Sequence, residues 1–294
     1  MMYVEASTDG LPVIVVMLEG VAVYLDNWAI IELANGDVKR RERFVRALKS
    51  CGSLLFSFTN SIELGEAEGE PAERVRAFLD AIGANWIPIE LNPWTVMDRE
   101  VAGQTNPAPC ISKLFMETFV KDRMYEQSPE GSKVVDLSPE NFFKLTSVMR
   151  WANAKKEETR KGTEEIDKAL INRVVDEHAK HEKDSSHLDK AFPNEPYSKN
   201  MPTRFALLQL LRLLVTEAKR FTLKKGDGRD LCHAALGAAY GSIAALDKHW
   251  KRRVEALPGP NGLARIYSRN ELDQLVDDLE NAAREVEARR AATR

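Results

Sequence analysis

The segment from Asp230 to Asp247, DLCHAALGAAYGSIAALD, constrains the fold of this chain more than any other stretch. Asp230 stands directly before an alanine-rich apolar run, where acidic residues commonly begin a helix. The run continues at helical spacing, and residues 242–246 then form a short apolar segment that is typical of a buried strand. Asp247 ends this strand. Because open α/β sheets bind ligands at the carboxyl ends of their strands, both acids are expected to face one crevice.

The N-terminal part of the chain has the same arrangement. A strand is predicted at residues 21–25, ended by Asp26 and followed by a helix from residue 27. A second strand is predicted at residues 54–59, with Glu63 in the first turn of the next helix. Four acids are therefore expected at equivalent ends of parallel elements. For each acid taken alone, helix capping is an alternative explanation.

Four short segments carry these acids, in the order YLDNWAIIELA, LLFSFTNSIELGE, DLCHAALGAAY and IAALDKHWKRRV. Together they resemble the PIN (PilT N-terminal) nuclease domain, a family that includes VapC-type toxin ribonucleases. Asp26, Glu63, Asp230 and Asp247 match the acidic positions of that family, and His233 matches a D-x-x-H form of its third motif. The resemblance covers roughly residues 20–92 and 226–280.

The resemblance implies an α/β fold of the PIN-like type, a three-layer α/β/α arrangement with a parallel five-stranded sheet. Residues 1–92 and 226–294 would form this nuclease domain, and residues 93–225 an all-helical insertion or lid. The chain departs from the family in two ways. The residues before Asp247 are Ala245 and Leu246, where the family often has Thr or Ser with another polar residue. The interval between the second and third motifs is also far longer than in compact members.

Four carboxylates that converge on one crevice repel one another, so they either hold protons at raised pKa or bind a cation. Oxygen ligands suit Mg²⁺ or Mn²⁺ better than zinc. A cation held in this way can activate water and offset charge on a phosphate. This chemistry predicts metal-dependent hydrolysis of a phosphodiester, and the resemblance to the PIN domain implies that the enzyme is an endoribonuclease. Asp26 and Asp247 would be metal ligands, and Glu63 and Asp230 would be ligands or water-positioning groups.

Polar and basic residues beside the acids are candidate substrate contacts. Asn27 and Ser57 adjoin the first and second motifs, whereas Lys248, Lys251 and Arg252 follow the fourth. Further cations precede the third motif, namely Lys219, Arg220, Lys224 and Lys225, and His249 and Trp250 interleave with the later group. Basic side chains can bind phosphates, and an exposed aromatic ring can stack a base. The alternative for each charge run is a solvated face. RNA is the expected partner, although DNA has the same phosphodiester.

Two other site assignments compete with this one. Asp227 also precedes the third helix, but the spacing of Asp230 to His233 favours Asp230, and Asp227 is interpreted as a turn residue. Three histidines, His178, His181 and His187, suggest a zinc site. Structural zinc usually has four ligands at tighter spacing, so a solvated charged face is the simpler interpretation.

Other functional classes remain open. A PIN-like scaffold that binds RNA or a protein partner without cleaving is the main alternative. A phosphatase-like hydrolase would need a second acid two residues after Asp26, and that position is Trp28. A toxin would have an antitoxin protein as its partner, although the long insertion is unlike a minimal toxin. A homo-oligomer is equally compatible with the sequence.

Composition favours a protein of the reducing cytoplasm. The net charge of −3 argues against a chain that is coated with nucleic acid, and the three cysteines form no CxxC pair. Residues 11–18 are apolar but too short to span a bilayer, and acids precede them where a signal peptide is basic. No membrane partner is therefore expected, and this run is interpreted as an extra strand or a lead-in.

Between the two halves of the motif set the pattern is mostly helical. An edge strand is predicted at residues 86–91, because Pro88 has no backbone N–H to donate to a neighbouring strand. Residues 92–110 are expected to be irregular. Helices are predicted at 111–127, 140–161, 163–183 and 202–221, with a loop at 185–202, and the last strand is predicted at 263–267.

Overall fold

The computed structural model describes residues 2–6, 12–16, 20–127, 143–218 and 223–292. A small antiparallel pair, β1 (Met2–Ala6) and β2 (Pro12–Val16), precedes the main sheet. The apolar run at residues 11–18 therefore contains an extra strand, which is one of its two predicted interpretations. No helix among the described residues is long and apolar enough to cross a membrane.

The main sheet has five strands, all parallel. They are β3 (Val21–Leu25), β4 (Gly52–Ser57), β5 (Trp86–Ile89), β6 (Ile243–Ala245) and β7 (Arg265–Tyr267). Their order in space is β5-β4-β3-β6-β7, so β3 is the central strand and pairs with both β4 and β6. The predicted α/β fold with a parallel five-stranded sheet is confirmed, as is the edge position of the strand that contains Pro88.

Fourteen further elements are described, thirteen helices and one 3₁₀ turn. Four helices precede β5: α1 (Asn27–Asn35), α2 (Val38–Cys51), α3 (Phe58–Gly65) and α4 (Glu70–Ile82). Six follow it: α5 (Pro93–Val101), α6 (Lys113–Gln127), α7 (Leu145–Ala154), α8 (Lys156–His181), α9 (His187–Ala191) and α10 (Pro202–Glu217). The rest are α11 (Asp227–Tyr240), α12 (Lys248–Glu255), the 3₁₀ turn Arg269–Glu271 and α13 (Leu272–Ala292).

Helices cover both faces of the sheet, an arrangement compatible with three layers. Successive side chains of a strand point to opposite faces. In β3, Val23 and Leu25 accordingly belong to one buried apolar cluster, and Ala22 and Tyr24 to the other. The first cluster includes side chains of α1, α2, α4 and α13, and the second includes those of α10, α11 and α12. The first helical layer thus combines helices from both ends of the chain.

The helices between residues 93 and 217 extend both clusters. Phe115 and Trp151 pack into the first, and Leu170 and Leu210 into the second. These helices are therefore joined to the sheet by buried apolar contacts. The division of the chain into a nuclease domain and a helical insertion stays a prediction.

Four local predictions are wrong. Residues 187–191, predicted as part of a loop, form the short helix α9. Residues 93–101 are helical rather than irregular, because Pro93 occupies the first turn, where its missing N–H is not needed, and Asn92 caps the helix. The predicted break near residue 162 lies instead between α7 and α8, and α8 continues through Gly162. The second core strand ends at Ser57, two residues early, because its side chain caps α3. The predicted helix ends at 140–142 and 219–221 lie outside the described residues.

Candidate active site

Two of the predicted acids follow neighbouring strands of the sheet. Asp26 comes directly after β3, and Asp247 lies two residues after the end of β6. The two strand ends are tied together, because the backbone N–H of Asp26 donates to the carbonyl of Ala245 at 3.1 Å. Parallel pairing therefore places both acids at the carboxyl edge of the sheet, where α/β folds bind their ligands.

Asp26 is both a helix cap and a perturbed acid. It is the N-cap of α1, and its Oδ1 accepts from the backbone N–H of Asn27 at 2.7 Å. Burial raises the pKa of Asp26 to about 6, against the lowering effect of that hydrogen bond, and the nearby charges of Asp247 and Glu63 raise it further. Capping alone explains the position of Asp26 but not its raised pKa, since a capping hydrogen bond lowers the pKa of an acid.

Asp230 lies in the first turn of α11, which begins at Asp227 with Gly226 as its N-cap. Burial raises the pKa of Asp230 to about 7, and the charge of Asp26 adds to this effect. Asp227 has the predicted turn role, because its Oδ2 accepts from the backbone N–H of Lys224 at 2.6 Å. The geometry therefore favours Asp230 over Asp227 as the member of the acidic group.

Glu63 is the sixth residue of α3, so it lies beyond the first turn in which it was predicted. It is paired with a cation that the sequence pattern did not identify. The Nη1 of Arg229 lies 2.5 Å from its Oε1, as an ion pair without an aligned hydrogen bond. The side-chain amide of Asn27 donates to the other oxygen, Oε2. Arg229 also lowers the pKa values of Asp26 and Asp230. One guanidinium thus offsets part of the negative charge of the whole group.

Asn27 and Ser57, both predicted substrate contacts, belong to a polar network behind Glu63. The side-chain amide of Asn60 donates to the Oδ1 of Asn27 at 2.7 Å. The hydroxyl of Ser57 donates to Asn60 Oδ1 at 2.7 Å and accepts from the Asn60 backbone N–H at 3.1 Å. Ser57 is fully buried, so this capping box accounts for its hydrogen bonds. Asn27 donates a hydrogen bond to Glu63 and so orients this acid.

Asp247 differs from the other acids because it is exposed and caps nothing. It occupies the N-cap position of α12, but its side chain makes no capping hydrogen bond. Its charge contributes to the raised pKa values of both Asp26 and Asp230. The alternative that it serves only as a helix cap is therefore not supported.

The basic residues after Asp247 differ in their exposure and pairing. Lys248 and Arg252 are exposed, whereas Lys251 forms an ion pair with Glu271 at 2.6 Å. The expectation of an exposed aromatic ring at Trp250 is wrong: the ring is 3% exposed, because this face of α12 packs into the second apolar cluster. Lys225 pairs with Glu164, and Lys219 and Arg220 lie outside the described residues.

The histidines do not form a zinc site. His178 Nδ1 contacts the carbonyl oxygen of Val215 at 2.8 Å, and His187 pairs with Glu177. Among the described residues, no group of three or more His, Cys, Asp or Glu side chains is placed to hold a metal ion. The four acids at the sheet edge are among these residues. They are coupled electrostatically, but they are not arranged as a complete ligand set.

A buried pair lies beneath the acids. The hydroxyl of Tyr24 and Nδ1 of His233 share a hydrogen bond, and both side chains are buried. Burial lowers the pKa of His233 to about 3, so the imidazole is neutral and accepts from the tyrosine hydroxyl. A Cβ at Gly237 would lie 2.5 Å from the Tyr24 ring, so this close approach requires glycine. His233 therefore fixes α11 against β3 and is not a metal ligand in this arrangement.

A second residue that the sequence pattern missed is Asp167 on α8. Its carboxylate accepts backbone N–H bonds from Gly226 at 2.9 Å, Gly228 at 2.8 Å and Arg229 at 3.2 Å. These amides form the N-terminus of α11, where the helix dipole favours negative charge. Asp167 thus fixes the turn that carries Arg229 and Asp230.

A groove of about 310 Å³ adjoins this turn. Its lining includes Thr59, Glu63, Arg160, Lys225 and Arg229. It therefore lies directly beside the acidic group, and α8 supplies one of its walls. The carboxylates, a paired guanidinium and this groove together form the candidate active site.

No protein-family model matches this chain, and neither a curated protein nor a solved structure matches it.

Proposed function

We propose that this protein is a PIN-like, Mg²⁺- or Mn²⁺-dependent ribonuclease whose acidic group is Asp26, Glu63, Asp230 and Asp247. The observation that carries the proposal is the raised pKa of Asp26 and Asp230, to about 6 and about 7, at the carboxyl edge of the sheet. The pKa values of these two acids are raised in part by the charges of other members of the group. Perturbed, mutually repelling acids in a crevice are typical of functional sites.

The chemistry of the donor set fits a hard cation. All four side chains offer oxygen atoms, which are the preferred ligands of Mg²⁺ and Mn²⁺. The arrangement fits only in part, because Glu63 is paired with Arg229 and no three of the acids are placed as ligands. Binding of a cation would therefore compete with Arg229 for Glu63.

The side chains of this protein would position the reaction. Asp26 is held by the backbone N–H of Asn27, and Glu63 by the amide of Asn27. A bound divalent cation supplies an activated water and offsets phosphate charge. Once released from Glu63, Arg229 could donate to a phosphate oxygen from the same groove, since guanidinium groups bind phosphates well.

The strand order supports the PIN-like part of the proposal. The first core strand is central, the second and third lie on one side and the fourth and fifth on the other. Asp26 and Asp247 follow the first and fourth strands, and Asp230 lies in the first turn of α11. Glu63 lies in α3, beyond its first turn. This is the arrangement that the sequence resemblance implies, although the same sheet order occurs in other α/β folds.

The test is cleavage of labelled single-stranded RNA with Mn²⁺, using wild type, Asp26→Asn and Asp247→Asn. A matched control is Asp37→Asn, because Asp37 also caps a helix, α2, through its Oδ1. We expect a loss of about 100-fold or more for the two site variants, in the range found when charge-stabilising groups are removed. The control should keep full activity. Equal activity in all four proteins would refute the proposal.

One observation favours the alternative of a non-catalytic scaffold. The Arg229–Glu63 ion pair neutralises an acid that a nuclease would need. A scaffold of this kind would bind RNA or a protein partner without hydrolysis. RNA binding that persists in every variant, without any Mn²⁺-dependent cleavage by wild type, would select this alternative.

A further inference from the structure

A second cavity of about 440 Å³ opens at the carboxyl ends of β4 and β5, between α3, α6, α7 and α8. Its volume lies within the range of small-molecule sites. Its lining is both aromatic and polar, and includes Phe58, Glu90, Asn92, Phe115, Trp151, Lys155 and Gly162. None of these was a predicted functional residue.

The wall of this cavity is an aromatic cluster. The rings of Phe58 and Trp151 meet edge to face with centroids 5.2 Å apart, and Phe115 stacks on Trp151 at 5.3 Å. Trp151 is fixed further, because its indole N–H donates to Asp122 at 2.8 Å. The cavity therefore has a rigid, flat-sided apolar lining, and Phe58 is its half-buried member.

Polar groups lie among these rings. Lys155 pairs with Asp122 at 2.7 Å, and its ammonium lies 5.5 Å from the centroid of the Trp151 ring. The Oδ1 of Asn92 accepts from the backbone N–H groups of Trp94 and Thr95. Its side-chain amide nitrogen is thereby oriented, and it has no acceptor among the described residues. Asn92 and Lys155 thus offer hydrogen-bond donors beside an apolar wall.

The cavity adjoins the groove of the candidate active site. Thr59 lines both this cavity and the groove beside Glu63. Thr59 and Glu63 are four residues apart on α3, so Glu63 lies about one helical turn, ~5.4 Å along the axis, from the residue that the two spaces share. A nucleic-acid chain with a phosphate beside Glu63 can therefore extend an adjoining group into this cavity.

We propose that this cavity binds a nucleobase of a single-stranded RNA substrate. This inference rests on the proposed function, because it takes its ligand from the chemistry assigned to the adjacent acids. A base has a flat π surface that suits an aromatic wall, and its ring nitrogens and carbonyl oxygens suit donors such as those of Asn92 and Lys155. An apolar side chain of a protein partner would leave those donors unused.

Gly162 allows the cavity to be obstructed without disturbing the core. It is exposed on α8, and a Cβ at this position would meet nothing within 4 Å. Leucine and alanine both form helices better than glycine, so neither variant should unfold the protein. Gly162→Leu extends a side chain at the mouth of the cavity, and Gly162→Ala is the matched control.

The experiment measures binding of a fluorescently labelled RNA octamer by anisotropy in EDTA, so that no cleavage is required. We expect Gly162→Leu to bind about tenfold more weakly than wild type and Gly162→Ala to bind like wild type. The difference should disappear with an abasic octamer, which has the same phosphates and no bases. Unchanged RNA binding by Gly162→Leu, or an equal loss with the abasic octamer, would overturn the inference.

The same data separate this inference from the proposed function. Base-dependent weakening by Gly162→Leu, together with no Mn²⁺-dependent cleavage by wild type, keeps the base site and refutes the nuclease. Cleavage that depends on Asp26, together with binding that is indifferent to Gly162→Leu, keeps the nuclease and refutes the base site.

Discussion

Replacement of Asp230 by asparagine should stabilise the protein in a pH-dependent way. The pKa of Asp230 rises from its ordinary value of 3.8 to about 7 in the folded protein, mainly through burial and then through the charge of Asp26. The folded chain therefore holds this proton more tightly than the unfolded chain. Stability falls as the pH rises from the ordinary value towards about 7, and it then levels off.

The magnitude follows from the size of this change. A pKa difference of about three corresponds to ~4 kcal/mol at full ionisation, at 1.36 kcal/mol for each unit. At about pH 5, close to 2 kcal/mol of that cost is already present, because the unfolded carboxyl is mostly ionised. Between about pH 5 and pH 8 the wild type should therefore lose ~2–3 kcal/mol relative to Asp230→Asn, whose side chain does not ionise.

Urea denaturation of both proteins at about pH 5 and pH 8, in EDTA, measures this difference. We expect the variant to gain stability over wild type as the pH rises, since it has no carboxyl at position 230 that must ionise in a buried position. Lys224→Ala, an exposed change just outside the same helix, serves as the control and should follow wild type. A wild-type-to-variant difference that is independent of pH would contradict the electrostatic account of this group.

Three further predictions concern the supports of the site. Arg229→Gln removes the cation that pairs with Glu63, so Mn²⁺ binding measured by calorimetry should become several-fold tighter and the raised carboxyl pKa values should rise further; weaker Mn²⁺ binding would exclude Arg229 as a competitor. Asp167→Asn leaves a backbone N–H of the α11 turn facing an amide, so urea denaturation should show a loss of about 1–3 kcal/mol, whereas Glu164→Gln on the exposed side of α8 should have little effect. Ser57→Ala removes the cap of α3 and should reduce the unfolding free energy by about 1 kcal/mol; an unchanged value would mean that the capping box contributes nothing.

The strands and the sheet edge were predictable because their signals are local. Short apolar runs such as residues 21–25 can be buried on both faces only in a parallel sheet, and an acid directly after each run marks its carboxyl end. Pro88 identified an edge strand for the same kind of reason, since its missing N–H is a property of one residue. Asp26 and Asp247 could therefore be placed from the sequence.

The residues that complete the site depend on contacts between distant segments. Arg229 meets Glu63 across 166 positions of sequence, and Asp167 meets the turn before α11 from another helix. An arginine beside an aspartate or an acid within a charged helix has no distinctive local pattern. Trp250 was placed wrongly because the burial of one helix face is decided by the neighbour that covers it. The helix that begins at Pro93 was predicted as irregular because proline is common both in loops and in the first turn of a helix.

The most direct test of the acidic group is a crystal soaked in Mn²⁺ and measured at a wavelength that gives anomalous scattering from manganese. We expect one anomalous peak among the carboxylates of Asp26, Glu63, Asp230 and Asp247, with the Arg229 guanidinium moved away from Glu63. Absence of a peak at this position, with Arg229 still paired to Glu63 at millimolar Mn²⁺, would contradict the assignment of these acids to a metal-dependent nuclease.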